Sequence, residues 1–230
     1  MKYIESIFDI SYLIIIFTLG FKMLKSSPKT STFHLFGFMA LTLGFGDTFH
    51  LVPRLCNYWL EGDYTKAMNL GGFVTAITMT FFYVILYRIW CKYYQVTDTK
   101  LSNIIVYTLT SIRIIICLFP QNHWAGPDKP YVWNVARNIP FTLLGIYLIV
   151  LFYKKAKEKK DLVFRYMWLA ITLSFAFYAP VFLLSQIAPG LGALMMPKTC
   201  AYIWITWMGY QGIKVEKASG ANNSLSASSF

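Results

Sequence analysis

The sequence predicts an all-α fold, a polytopic transmembrane bundle of seven helices with the N-terminus outside and the C-terminus inside. Seven long apolar stretches and the placement of the basic residues between them support this prediction. Crossing the hydrocarbon core of a bilayer, about 30 Å thick, takes about 20 helical residues. With 57% hydrophobic, 18% aromatic and only 13% charged residues, the chain is too apolar for a soluble domain. The predicted helices cover residues 8–24, 32–52, 67–90, 101–119, 139–154, 163–186 and 191–213.

Each apolar stretch has features typical of a membrane helix. The first stays in the protein, because residues 1–9 lack a basic signal-peptide region and no small-residue cleavage site follows. The second contains Gly44 and Gly46, which allow another backbone or a ligand to come close. The third and fourth reach the required length, and the fifth reaches it only barely. In the sixth and seventh, Pro180 and Pro197 each remove a helical hydrogen bond and free a carbonyl one turn earlier.

The basic residues concentrate on one side of the predicted bundle. Of the 21 Lys and Arg residues, fourteen lie in the first, third and fifth connections and after the last helix, and five lie on the other side. Basic residues mark the cytoplasmic side of a membrane protein. The sequence therefore predicts a multi-pass protein with an outside N-terminus, and the plasma membrane is its expected location.

Two parts of the chain differ in composition. Residues 1–214 form the predicted transmembrane domain, and residues 215–230 are small and polar, which predicts a disordered tail. The net charge of +11 comes mainly from residues that flank the helices, so the expected partner is the membrane bilayer and not a nucleic acid. The four cysteines have no metal-ligand spacing, and no metal or cofactor is expected. A disulfide between Cys56 and Cys117, both near the outer face, stays open.

Polar residues at membrane depth identify the candidate site. An ionisable group in a transmembrane helix is costly, so each is a functional candidate by default. Asp47, His50 and Arg54 are spaced i, i+3 and i+7, which places them on one face of the second helix. The predicted topology puts Arg113 and Lys198 in the same outer half of the membrane.

This cluster has two interpretations, and both stay open. In the first, Asp47 forms an internal ion pair with Arg113 or Lys198 that fixes the helix packing. In the second, a single carboxylate facing these basic residues leaves an excess of positive charge, which an anionic amphiphile such as a phosphate-bearing lipid would offset. Under the second interpretation Asp47 and His50 lie at the reactive end of an outward-facing pocket. The expected substrate-binding residues are Arg54, Arg113, Lys198, Tyr178 and Tyr202.

Three segments resemble the lysoplasmalogenase-like (YhhN) family of membrane proteins. Residues 43–53, LGFGDTFHLVP, and residues 71–83, GGFVTAITMTFFY, are similar to the paired helices of that family. Residues 197–202, PKTCAY, and the helix that continues to Gln211 are similar to its closing Tyr-rich helix. The resemblance implies hydrolysis of the vinyl-ether bond of lysoplasmalogens, with Asp47 in the position of the family's acid.

The chain also departs from the pattern of this family. The family has a second acid on a later helix, whereas residues 169–178 contain none, and a threonine stands at the position of a family histidine. Seven helices are predicted here, while the family usually has eight. Because protonation of the enol-ether carbon starts the reaction, His50 would have to take the second role, either by activating water or by relaying the proton.

Two other function classes fit a polytopic helical bundle. A seven-helix receptor or a retinal-type photoreceptor would use Lys198 as a Schiff base with Asp47 as its counterion. The aromatic stretch of residues 175–182 on the sixth helix is consistent with this alternative. A transporter or channel would be expected to show an internal repeat, and the sequence shows no convincing one.

Overall fold

All regular structure in the described part of the chain is helical, as predicted. The structure is a computed structural model that describes residues 2–126, 130–184 and 186–227. Two short 3₁₀ helices, η1 (Pro120–Asn122) and η2 (Pro189–Leu194), lie in connections. The α-helices are α1 (Lys2–Ser26), α2 (Thr32–Trp59), α3 (Thr65–Tyr93), α4 (Lys100–Leu118), α5 (Tyr131–Lys159), α6 (Met167–Leu184) and α7 (Met195–Ala227).

The helices form a closed bundle. Each helix packs on the next one along the chain, and α1 also packs on α7, which closes the ring. Short connections, such as residues 27–31 and 60–64, join the ends of packed neighbours, and neighbouring helices are therefore antiparallel. Consequently α1, α3, α5 and α7 all begin at the same end of the bundle, which is called the N-terminal end below.

Among the described residues, six helices are long and apolar enough to cross a membrane by length and composition, namely α1 to α6. Their outward faces carry large apolar side chains, for example Ile7, Phe21, Ile104 and Ile146. Soluble proteins rarely expose large contiguous apolar surfaces. A bundle of long apolar helices is thus confirmed within the described ranges. The helix α7 is not among the six, since Lys198, Gln211 and several Trp and Tyr residues lower its hydropathy. Seven spans and the outside N-terminus stay predictions.

Glycines allow α2 and α3 to pack closely. A Cβ atom added at Gly71 would overlap the carbonyl group of Phe49, and one added at Gly46 would overlap the side chain of Thr78. The hydroxyl of Thr75 donates a hydrogen bond to the carbonyl of Gly46 at 3.0 Å. The predicted close approach at Gly46 is therefore made by a neighbouring helix. Away from this seam, aromatic rings fill the core, among them Phe36, Phe82, Tyr83, Tyr87, Phe141, Phe152 and Phe164.

The fifth helix begins earlier than predicted. It starts at Tyr131 and contains Pro140, so residues 131–138, which lie between the predicted helices 101–119 and 139–154, are helical. The first turns contain the polar residues Asn134, Arg137 and Asn138. Because they do not belong to an apolar stretch, the prediction began the helix after them. In the remaining loop Trp124 donates a hydrogen bond to the carbonyl of Cys117, and this indole folds onto the end of the bundle.

The start and end of the seventh helix also differ from the prediction. Residues 189–194 form a 3₁₀ helix, and α7 begins at Met195. Pro197 is therefore in the first helical turn, where backbone N–H groups have no partner within the helix, and it does not free a carbonyl as predicted. The backbone of α7 stays helical past residue 214 to Ala227, and disorder of the polar tail stays a prediction. All four cysteines, Cys56 and Cys117 included, are free.

Candidate functional site

A cavity of about 340 Å³ lies between α1, α2, α3 and α7, with η2 along one side. Its walls are partly apolar and partly charged. The lining includes five of the predicted site residues, Asp47, His50, Arg54, Lys198 and Tyr202. The other lining residues are Glu5, Phe8, Asp9, Tyr12, Leu51, Thr75, Met79, Gly190, Gly192, Ala193, Met195, Met196 and Thr199.

Asp47 is bound by a phenol from the first helix. The hydroxyl of Tyr12 donates to Oδ2 of Asp47 at 2.5 Å, which is short for a hydrogen bond between two oxygen atoms. Tyr12 is buried, with 1% of its surface exposed, so its ring fixes the hydroxyl in place. Among the described residues, Asp47 forms no ion pair with Arg113 or Lys198. The internal ion pair proposed for Asp47 is therefore not formed.

The acid Asp9 on α1 pairs with Arg54. Both Nε and Nη2 of Arg54 donate to Oδ2 of Asp9, at 3.1 and 2.5 Å, and only 3% of the Asp9 side chain is exposed. One turn earlier, the Glu5 carboxylate accepts a hydrogen bond from the hydroxyl of Tyr58 at 2.5 Å. These contacts hold the first turns of α1 against the last turns of α2.

The charges along the cavity do not leave the predicted excess of positive charge. Three carboxylates, Glu5, Asp9 and Asp47, line it together with the cations Arg54 and Lys198. The expectation of a positively lined pocket was wrong because it counted no acid from α1. The cavity instead presents both signs of charge next to apolar walls.

His50 is oriented by the backbone of α3. Its Nδ1 lies 2.9 Å from the carbonyl oxygen of Met68, and a carbonyl can only accept a hydrogen bond. Nδ1 therefore carries the hydrogen in the neutral ring, and the lone pair is on Nε2. At this level of α3, Gly71 lies directly against the backbone of Phe49 and His50.

Lys198 lies among aromatic rings at the edge of the cavity. Its ammonium group is 4.4 Å from the ring centroid of Tyr178 and 5.3 Å from that of Tyr202, distances at which a cation is attracted to a ring face. The residue is 7% exposed. Tyr178 itself is not part of the cavity lining, and its hydroxyl donates to Oδ1 of Asn138 at 2.8 Å.

Arg113 lies apart from the cavity, in a second polar cluster formed by α4, α5, α6 and η1. Its guanidinium carbon is 3.4 Å from the ring centroid of Phe141. Arg113 is not among the residues that line the cavity, and its role in holding a headgroup stays a prediction. The members of this second cluster, called the arginine cluster below, are Arg113, Asn122, Asn134, Arg137, Asn138 and Tyr178.

Sequence reasoning missed the contribution of α1 to the site. Glu5, Asp9 and Tyr12 are spaced i, i+4 and i+7, which places them on one helical face. This spacing mirrors the one that identified Asp47, His50 and Arg54. The prediction began the first helix at residue 8, which left Glu5 outside it, and Asp9 at its second residue was not counted among the polar residues at membrane depth.

Within the described ranges, no group of three or more His, Cys, Asp or Glu residues is arranged to hold a metal ion. Comparison with protein-family models, with curated proteins and with solved structures finds no match to this chain. The similarity of residues 43–53 and 71–83 to the lysoplasmalogenase-like family therefore stays a prediction.

Proposed function

We propose that the chain is a multi-pass protein of the plasma membrane that binds a phosphate-bearing lipid in the cavity and hydrolyses its vinyl-ether bond. The observation that carries this proposal is the Tyr12–Asp47 hydrogen bond in the wall of a cavity that is both apolar and charged. A volume of about 340 Å³ is within the usual range of ligand sites. It accommodates a polar headgroup and the adjoining bond rather than a whole lipid.

The mixed charges of the cavity suit a zwitterionic headgroup. Arg54 and Lys198 offer donors to a phosphate, and Glu5 and Asp9 offer acceptors to an amine. Phe8, Leu51 and Met79 provide an apolar wall for the start of the hydrocarbon chain. A lysophospholipid with an ethanolamine or choline headgroup has all three chemical parts, since it combines an anionic phosphate, a cationic nitrogen and a single chain.

The hydrolysis needs a proton donor and a base for water. In the proposed reaction Asp47 gives a proton to the enol-ether carbon, which leaves an oxocarbenium ion. Water adds to this ion and passes a proton to Nε2 of His50, and the resulting hemiacetal breaks into a fatty aldehyde and the glycerol hydroxyl. Proton exchange with water then returns His50 to its neutral form and Asp47 to its protonated form. The Tyr12 hydroxyl on Oδ2 leaves Oδ1 of Asp47 as the oxygen that carries the transferable proton.

The experiment is to measure aldehyde release from a lysoplasmenyl lipid by the purified protein. We expect release by the wild type and a loss of at least about a hundredfold in Asp47→Asn, since general acid catalysis contributes about 10²–10⁴ to a rate. Asp63→Asn is the matched control, because Asp63 lies in the exposed connection between α2 and α3. No release by the wild type, or equal release by Asp47→Asn and Asp63→Asn, would refute the proposed hydrolase activity.

A receptor or photoreceptor is the second candidate, and the amine of Lys198 favours it. Lys198 and Asp47 line the same cavity. The Asp47 carboxylate could therefore act as the counterion of a protonated imine formed at Nζ of Lys198. Adding retinal to the protein distinguishes the two functions. A visible absorption band that disappears in Lys198→Ala would support the photoreceptor, and aldehyde release would support the hydrolase.

A further inference from the structure

The arginine cluster contains a buried guanidinium, that of Arg137, whose partners in the described part of the chain are all neutral groups. Nη1 of Arg137 donates to Oδ1 of Asn122 at 2.9 Å, and Nη2 donates to Oδ1 of Asn134 at 2.8 Å. Its guanidinium also lies 4.3 Å from the ring centroid of Trp124. Amide oxygens satisfy the hydrogen bonds of Arg137, but they do not neutralise its charge.

Arg113 is less well satisfied. It is 3% exposed, and its Nε and Nη1 have no hydrogen-bond partner in the described part of the chain. Nη2 makes a long contact of 3.5 Å to the carbonyl oxygen of Ala76. An unpaired buried donor is rare in folded proteins and usually indicates a bound water, ion or ligand.

Arg113 also has no ion-pair partner among the described residues. The ionisable side chains that act on it most strongly are Tyr178, Cys117, Tyr202 and Arg137, and none of these is a carboxylate. A guanidinium stays protonated in a protein. A buried charge without a counter-charge is strongly destabilising, and inside a membrane bundle such charges are normally paired.

Thr110 supplies a further donor beside Arg113. It lies one helical turn earlier on the same face of α4, it is buried, and its hydroxyl has no partner among the described residues. The missing partner must accept hydrogen bonds and carry a negative charge. Water would meet the first requirement and not the second.

We propose that a small inorganic anion such as chloride binds beside Arg113, with Nε and Nη1 of Arg113 and the hydroxyl of Thr110 as its donors. This site is distinct from the cavity, because neither residue lines the cavity. It does not depend on the proposed hydrolase. The bound anion stabilises the packing of α4 against α3 and α5 by offsetting the two buried guanidinium groups.

Thermal unfolding in an uncharged detergent tests the proposal, with chloride exchanged for gluconate at constant ionic strength. Chloride should raise the Tm of the wild type in a saturable way. At about a hundredfold excess over Kd, the increase should be about 5–10 °C. An unchanged Tm would overturn the proposal, and so would stabilisation by phosphatidylglycerol without stabilisation by chloride.

Two variants locate the effect at this site. Thr110→Val keeps the side-chain shape but loses one donor, and it should weaken the apparent affinity for chloride by about tenfold or more. Arg113→Leu should abolish the response. Arg165→Leu is the matched control, since Arg165 is exposed and also lies over a ring, that of Tyr166 at 4.5 Å, and it should respond as the wild type does. If Thr110→Val folds and responds like the wild type, the proposal is wrong.

Discussion

At the scale of single residues, the Asp9–Arg54 pair is the contact with the clearest consequence for stability. Replacing Arg54 with Leu leaves a carboxylate that is only 3% exposed without its counter-charge. We expect Arg54→Leu to lower the free energy of unfolding by about 3–5 kcal/mol. The double variant Asp9→Leu/Arg54→Leu should recover most of this loss, because no buried charge remains. Unfolding of the protein in detergent micelles by added SDS measures the free energy of unfolding of both variants.

The exposed pair Lys155–Glu158 is the control for this prediction. Its Nζ–Oε2 distance is 2.8 Å, but water screens both partners, and such pairs contribute little. Lys155→Leu should therefore leave the unfolding midpoint close to that of the wild type. A loss in the double Asp9/Arg54 variant as large as in Arg54→Leu would show that the apolar side chains, not the charge, cause the destabilisation.

The residues of the site were only partly predictable from the sequence. Helical spacing was enough to place Asp47, His50 and Arg54 on one face, because this periodicity is local. Whether a residue on another helix faces the same space depends on the rotation and packing of that helix. The sequence supported Lys198 and Arg113 equally as substrate-binding residues. In the structure Lys198 lines the cavity, whereas Arg113 packs on Phe141.

At the scale of elements, the α2–α3 seam depends on Gly71. A methyl group at this position would overlap the carbonyl of Phe49, which is backbone and cannot rotate away. We expect Gly71→Ala to destabilise the protein by about 1–3 kcal/mol through overpacking. Gly72→Ala gains the same helix propensity and meets only Trp124 and His50 at 3.9–4.0 Å, so it should be neutral or stabilising. Unfolding in SDS compares the two variants, and equal effects would contradict the close contact.

The existence of the elements was easier to predict than their ends. The length of the apolar stretches predicted all seven α-helices, because a helix that crosses a membrane needs about 20 predominantly apolar residues. The ends are polar and depend on tertiary contacts. The first turns of α5 are helical because Asn134 and Arg137 form hydrogen bonds to neighbouring groups. The pattern of apolar residues does not indicate these hydrogen bonds.

At the scale of the whole molecule, the distribution of basic residues predicts which end of the bundle faces the cytoplasm. Lys154, Lys155, Lys157, Lys159 and Lys160 cluster where α5 ends, opposite the N-terminal end. Clustered lysines are difficult to move across a membrane during insertion. The cavity lies near the N-terminal end, since Glu5 from the start of α1 and Met195 from the start of α7 both line it.

These two facts together predict that the cavity belongs to the outer half of the membrane, and single-cysteine labelling tests it. In a variant whose four native cysteines are replaced by alanine, Glu61→Cys should react with a membrane-impermeant maleimide in intact cells. Lys160→Cys should react only after permeabilisation, because the lysine cluster keeps that end inside. The reverse pattern would place the cavity toward the cytoplasm, and the lipid substrate would then have to come from the inner leaflet.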